Sequence, residues 1–197
     1  IQTEWQHNKL NFIDCPGADD FIGGVVTSLN VTDTALILVN SQYGVEVGTT
    51  NHFSYAEKNN KPVIFVMNHL DHEKVNYELS LESLTENFGN KVIQVQYPFN
   101  PGLEFNAIID LIQMKMLQWK TEGGNPEILE IPAEEMEKAK QLHNQLVEAA
   151  AEHDETLMEK FFEEGILTEE EICNGLRKGV RQRGVFPVFC ISALKNI

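Results

Sequence analysis

The chain has 197 residues with 30 acidic against 15 basic side chains, a formal net charge of −15 at pH 7. Binding to a phosphate backbone scales with the Lys and Arg available to displace counterions, so this balance argues against direct nucleic-acid binding beyond a local basic patch. At 42% apolar residues the composition is that of a core-forming globular protein, and the longest apolar runs, 62 to 67 and 185 to 191, fall far short of the roughly 18 residues a membrane span needs.

Three cysteines, Cys15, Cys173 and Cys190, form neither an even set nor a metal-type spacing. A reducing cytoplasmic compartment is therefore expected rather than a disulfide framework. The sequence has no initiator Met and no signal stretch, and it opens directly in strand-like residues, so it reads as an internal piece of a longer protein.

In chain order, Ile1 to Ile13 reads as two strands joined by a tight turn at His7-Asn8-Lys9, the second a buried strand ending at Asp14. A helix follows with Phe21, Val25 and Leu29 on one face and Asp19 and Asp20 at its positive end. Ala35 to Val39 is an unbroken apolar strand before a helix over Glu46 to Lys58, and Val63 to Met67 is another, leading into polar sequence. Short apolar strands alternating with helices mark a parallel sheet covered on both faces.

After about residue 90 the texture changes. Lys91 to Tyr97 alternates strictly and Ile108 to Trp119 reads as two strand pieces, with turn sequence at Thr121 to Pro126. Acidic amphipathic helices follow, the first with Met136, Ala139, Leu142, Leu146 and Ala149 at intervals of three and four. The last opens with Thr168 and Glu171 spaced as a capping box. Val185 to Ile191 returns to a buried-type strand. The predicted organisation is a core of 1–90 and 184–197 interrupted by an inserted α+β subdomain of 91–183. Residues 122–174 hold 16 acidic and 3 basic side chains, a local net of −13; this run is either a solvated helical face or an acidic docking surface.

Three short motifs fall at strand ends. Asp14-Cys15-Pro16-Gly17 puts a carboxylate and then a glycine before a helix, as where Mg²⁺ and a terminal phosphate are held, although alone it also describes an ordinary turn. Asn68-His69-Leu70-Asp71 offers an Asp for a charge-assisted bidentate contact to a guanine edge and an Asn to brace loops, or simply an Asn/Asp turn. Ser192-Ala193-Leu194-Lys195 could present a backbone N–H to a purine carbonyl. Each is weak alone, but open α/β sheets bind ligands at the carboxyl ends of their strands, and all three are expected there.

Together with Val31-Thr32-Asp33 and Gly44-Val45-Glu46, these motifs resemble the GTPase domain of translation elongation factor G across essentially the whole chain. The resemblance includes an extra subdomain between the guanine motif and the last motif, where Ile109-Asp110-Leu111, Leu146-Val147-Glu148 and His153-Asp154-Glu155 fall. It implies a P-loop GTPase-type fold and a GTP/GDP switch promoting ribosomal translocation in protein synthesis. By the same resemblance, Asp14 holds Mg²⁺ through water and Gly17 senses the γ-phosphate. Asn68, His69 and Asp71 bind guanine, and Ser192, Ala193 and Leu194 support the base. The implied partners are the ribosome and its stalk protein, the latter meeting the acidic insertion.

The sequence departs from that pattern at several positions. No G-x-x-x-x-G-K-[ST] occurs, so the phosphate loop and first switch are expected upstream, and the chain by itself is not expected to bind GTP at useful affinity or to be active. Ala18 stands where the family has a water-positioning His, so hydrolysis is expected to be weakened or lost. His69 replaces the guanine-motif Lys. Asp19 adds an acidic group beside the phosphate position, equally readable as dipole support. His69, Asp71 and His72 are too compact for a metal ligand set. His7, His52, His143 and His153 read as surface or hydrogen-bonded side chains, and Cys15 as a packing residue. A ribosome-binding paralogue independent of hydrolysis and a ribosome-protection or recycling relative remain the alternatives.

Overall fold

The computed structural model describes residues 1–197, apart from the side chain of Asp19, so the reading of that carboxylate lies outside the described residues. Its framework is an open parallel sheet of four strands in the order β3-β4-β10-β5: β3 (Ala35–Asn40), β4 (Val63–Asn68), β10 (Phe186–Cys190) and β5 (Val92–Gln94). Helices α1 (Ile22–Val31), α2 (Val47–Lys58) and α3 (Tyr77–Phe88) alternate with these strands. A mostly parallel α/β fold with additional antiparallel strands is the expected class. Phe65 of β4 lies at its centre, with ring centroids 5.0 Å from Phe88 and 6.0 Å from Phe53, while Phe186 meets Phe53 edge-on at 5.3 Å. Such offset and edge contacts suit the ring quadrupoles and add to burial.

The first thirteen residues differ from expectation. β1 (Gln2–Trp5) and β2 (Asn8–Asn11) pair only with each other, antiparallel, and every residue in them is exposed. The turn is at Gln6-His7, both at positive φ, one residue earlier than predicted. β2 is thus not a buried parallel strand ending at Asp14. Its pattern Asn-Lys-Leu-Asn offers one apolar side chain in four, too little to bury either face. At the open edge of the main sheet, β3 likewise buries Ile37 and Val39 but leaves Leu36 and Leu38 47% and 59% exposed, so covering on both faces does not extend to this strand.

Helix α3 has no counterpart among the predicted elements. Its signals are Asn76, whose side chain accepts the N–H of Leu79, and Tyr77, Ser80 and Leu84 on the buried face. Phe21, expected on the buried face of α1, instead closes a short 3₁₀ turn before the helix and is exposed, leaving Leu29 as that helix's buried residue.

The run Lys91 to Tyr97 is two strands, not one. β5 pairs with β10 in the parallel sheet, whereas β6 (Gln96–Pro98) begins an antiparallel sheet continued by β7 (Ala107–Asp110), β8 (Lys115–Gln118) and β9 (Glu127–Leu129). Val95 is the switch: its N–H donates to Val188 O of β10 at 3.1 Å, and its carbonyl accepts from Leu111 N at 3.0 Å. Its two backbone groups serve different sheets. Beside it the buried Tyr77 hydroxyl donates to Gln94 Oε1 at 3.0 Å, and Cys190 N donates to Gln96 Oε1 at 3.4 Å. Burial drives the Tyr77 phenol well above its usual pKa and the Cys190 thiol up to about 12, so neither ionises at neutral pH.

Three helices lie between β9 and β10: α4 (Met136–Ala151), α5 (Glu155–Glu164) and α6 (Glu169–Arg181). α4 and α6 pack closely enough that a Cβ at Gly175 would lie 2.3 Å from Ala150 O, so glycine is required there. The expected capping box forms, with Thr168 Oγ1 accepting from Glu171 N and Glu171 Oε2 accepting from Thr168 N. Glu171 also receives Lys160 Nζ of α5 at 2.7 Å. That ammonium, with the Thr168 N–H and hydroxyl, holds the Glu171 carboxyl down at about 2. A pKa lower in the folded than in the unfolded chain gives stability that is present above the ordinary value of 4.5 and lost as pH falls toward 2. Amides in the first turn of α6 should therefore lose hydrogen-exchange protection across that window, and Glu171→Gln should flatten the dependence. Parallel pH profiles for the two proteins would contradict this assignment.

Candidate functional site: the loops after β4 and β10

β3 and β4 run in register, placing Asn40 beside Asn68, and β10 places Cys190 beside Met67. The loops after β4 and β10 therefore leave the sheet side by side. Asn68 joins them: its Oδ1 accepts from His69 N at 2.8 Å and from Ala193 N at 3.1 Å. The second bond ties the loop after β4 to the loop after β10.

Ser192 is fully buried, and its hydroxyl donates to Asp71 Oδ1 at 2.7 Å while accepting from Lys195 N at 3.1 Å. With Oδ1 thus fixed, Asp71 Oδ2 has no protein hydrogen-bond partner among the described residues. A held carboxylate with one free oxygen suits a ligand edge that presents N–H groups. Ser192 N and Ile197 N exchange bonds with each other's carbonyls at 2.8 and 3.0 Å, which closes the second loop. Ala193 and Leu194 lie exposed on it.

His69 sits at φ +63° with its side chain exposed. Among non-glycine residues His is one of those enriched in this left-handed region. His72 uses Nδ1 to accept Lys74 N. No group of three His, Cys, Asp or Glu among the described residues is placed to hold a metal ion.

The structure brings together Asn68, Asp71, Ser192 and Ala193, with His69 and Leu194 on the same two loops. Asp14, Gly17 and Ala18 lie on the exposed segment between β2 and α1. The carbonyl of Ala18 accepts Phe21 N at 2.9 Å, and among the described residues Gly17 has no atom within 4 Å of a notional Cβ, so their packing does not demand glycine there. Cys15 Sγ donates to Ser28 Oγ at 3.2 Å. Of the other histidines, His143 Nδ1 meets Leu111 O at 2.6 Å. Nε2 of His52 and of His153 is buried without a partner among the described residues, contrary to expectation. His153 fills the space that Gly179 and Gly184 leave, which orients the ring but offers it no acceptor.

Lys195 has a role that its place in the sequence does not signal. Its ammonium donates to the carbonyls of Leu103, at 2.6 Å, and Phe105, at 3.0 Å, on the loop between β6 and β7. Backbone acceptors leave no trace in residue identity, so only their spatial placement reveals the contact.

Paired loops at the carboxyl ends of an open parallel sheet lie where α/β domains of this class bind their ligands. All 197 residues match the family model for the elongation factor Tu GTP binding domain, and the chain belongs to that family of translational GTPase domains. It is also similar to a solved structure of a protein from Thermus thermophilus, at 28% identity and a TM-score of 0.89. That similarity covers 100% of this chain and 29% of the longer one. Among the described residues, no helix is long and apolar enough to cross a membrane.

Proposed function

We propose that the chain serves as the guanine-nucleotide domain of an elongation factor G-like protein that promotes ribosomal translocation. The observation that carries this reading is the Asn68–Ala193 and Ser192–Asp71 bonding, which joins the two loops and leaves Asp71 Oδ2 without a protein hydrogen-bond partner among the described residues. Asp71 reads the guanine N–H groups, Asn68 braces the loops, His69 lies along the base, and Ser192, Ala193 and Leu194 form its rim. Family membership supports GTP or GDP as the nucleotide.

At the phosphate end, the exposed Asp14 is a single hard-oxygen donor. That fits a Mg²⁺ ion coordinated mainly by water and phosphate and contacted by protein at one carboxylate. The ion, when bound, neutralises phosphate charge; Asp14 orients its water, and Gly17 leaves room for a terminal phosphate. Ala18 has no group to orient an attacking water, which favours a second reading: a ribosome-binding relative that acts without depending on hydrolysis.

We place the core in 1–90 and 184–197 and the inserted subdomain in 91–183, with β5 contributed to the core sheet from the insertion's first residues. The insertion is proposed to meet the ribosomal stalk protein. Support comes from a groove of about 720 Å³ lined by Leu142, Ala149, Met158, Phe161 and Phe162, with Glu148 and Glu152 also on its wall. Phe162 is 79% exposed and its ring lies 6.4 Å from that of Phe161, so the groove wall carries an aromatic pair open to solvent.

The test is co-sedimentation of the full-length gene product with ribosomes. Retention with a non-hydrolysable GTP analogue and release with GDP are expected. Equal retention with both nucleotides, or none with either, would overturn the reading as a nucleotide-switched ribosomal factor.

A further inference from the structure

Both base-side loops are tied to the antiparallel sheet through contacts that span long stretches of sequence. Lys195 Nζ reaches the carbonyls of Leu103 and Phe105. Gly123 N, in the turn between β8 and β9, donates to Lys195 O at 3.1 Å. Gly102 N donates to Leu70 O at 2.7 Å, one residue before Asp71. Phe105 and Leu70 are both fully buried, so these links join closely packed chain. Gly102 is at φ +118° and Gly123 at +71°, backbone shapes that glycine adopts without strain.

Lys195 also stands next in line to the carboxylate. Its backbone N–H donates to Ser192 Oγ, whose own proton is committed to Asp71 Oδ1. A displacement of residue 195 therefore reorients the serine hydroxyl that aims Asp71. Hydrogen bonds weaken steeply with misalignment, so a small turn of this carboxylate suffices to degrade a contact at its outer oxygen. The bonds from an ammonium to two carbonyls are charge-assisted and stronger than neutral ones.

We propose that Lys195 is a positioning residue for base recognition: anchored on Leu103 and Phe105, it fixes the Ser192–Asp71 pair and so sets the discrimination between guanine and bases lacking its exocyclic amine. This rests on the reading of Asp71 as the guanine-contacting group. It makes the loop of residues 99–106 part of the specificity apparatus although that loop contributes no side chain to it.

The experiment compares GDP and IDP affinities in the full-length gene product, because the two nucleotides share ribose and phosphates and differ only in the amine. Lys195→Met keeps the stem and removes the donors; the GDP:IDP preference should fall about tenfold, a size usual for coupling through a packed network. Lys195→Arg should restore most of it. Gly102→Ala, which strains the backbone at a position with open space around the new methyl, should lower the ratio in the same direction and serves as the test if Lys195→Met does not fold. Asp71→Asn is the control. If Asp71→Asn alters the ratio while folded Lys195→Met and Gly102→Ala leave it within about twofold, or weaken GDP and IDP equally, the positioning role is wrong and the guanine reading stands. If Asp71→Asn itself leaves the ratio unchanged, both fall.

Discussion

Replacing Ala18 by His in the full-length gene product should raise ribosome-stimulated GTP hydrolysis by roughly 10² to 10⁴, the range that one well-placed acid–base or water-orienting group contributes. The reason is chemical. In phosphoryl transfer the protein mainly positions the nucleophile and stabilises charge, and a methyl group can do neither for water. The structure makes the substitution feasible, because Ala18 is exposed and the hydrogen bond it makes is through its backbone carbonyl to Phe21 N. Position 18 is thus not a buried packing site that an imidazole would have to enter. Single-turnover hydrolysis with and without ribosomes is the measurement. A gain in that range shows that the remaining catalytic apparatus is intact, and no gain shows that catalysis has been lost at more than this position. Wild-type turnover equal to the Ala18→His protein would refute the assignment of Ala18 as the missing group.

Asp71→Asn should weaken GDP binding by roughly 10² to 10⁴, as expected where a site built to hydrogen-bond a ligand group meets the wrong partner. Ser192 Oγ can still donate to the Asn carbonyl oxygen at the position now held by Oδ1. The amide nitrogen then faces outward and offers N–H groups to guanine N–H groups, donor against donor. Xanthosine diphosphate carries a carbonyl oxygen where guanine has its amine, so its affinity should rise in the same variant. Fluorescence titration with the two labelled nucleotides checks both directions. A variant that loses GDP and gains nothing for the xanthine nucleotide would indicate that Asp71 acts structurally, through Ser192, and not on the base.

The two expectations bear on different readings of the protein. Loss of base discrimination with Asp71→Asn tests whether the chain is a guanine switch at all, while Ala18→His tests whether the switch still hydrolyses. A protein that reads guanine through Asp71 but is insensitive to His at position 18 would be a nucleotide-binding ribosomal factor that has abandoned hydrolysis. The acidic insertion would then keep its proposed role, since its groove and charge are independent of the phosphate chemistry.

Much of this is legible in residue order. The capping box at Thr168 and Glu171, the three-and-four spacing of α4, the apolar runs that form β3, β4 and β10, and the motifs at 68–71 and 192–195 are local signals, each fixed by residues within one or two turns of chain. Helix α3 is legible too, from Asn76 as its cap and the spacing of Tyr77, Ser80 and Leu84, but polar residues on its outer face mask the pattern.

Sequence alone thus determined the α/β class, the order of the motifs and the concentration of negative charge between residues 122 and 174. Tertiary structure decided what no local signal carries. It set β1 and β2 apart as an exposed ribbon, divided the alternating run at Val95 between two sheets, and sent Lys195 to carbonyls some ninety residues earlier in the chain. The physical reason is common to all three: strand partnership and backbone hydrogen bonding depend on which groups meet in space, and an N–H or C=O is the same on almost every residue that carries it.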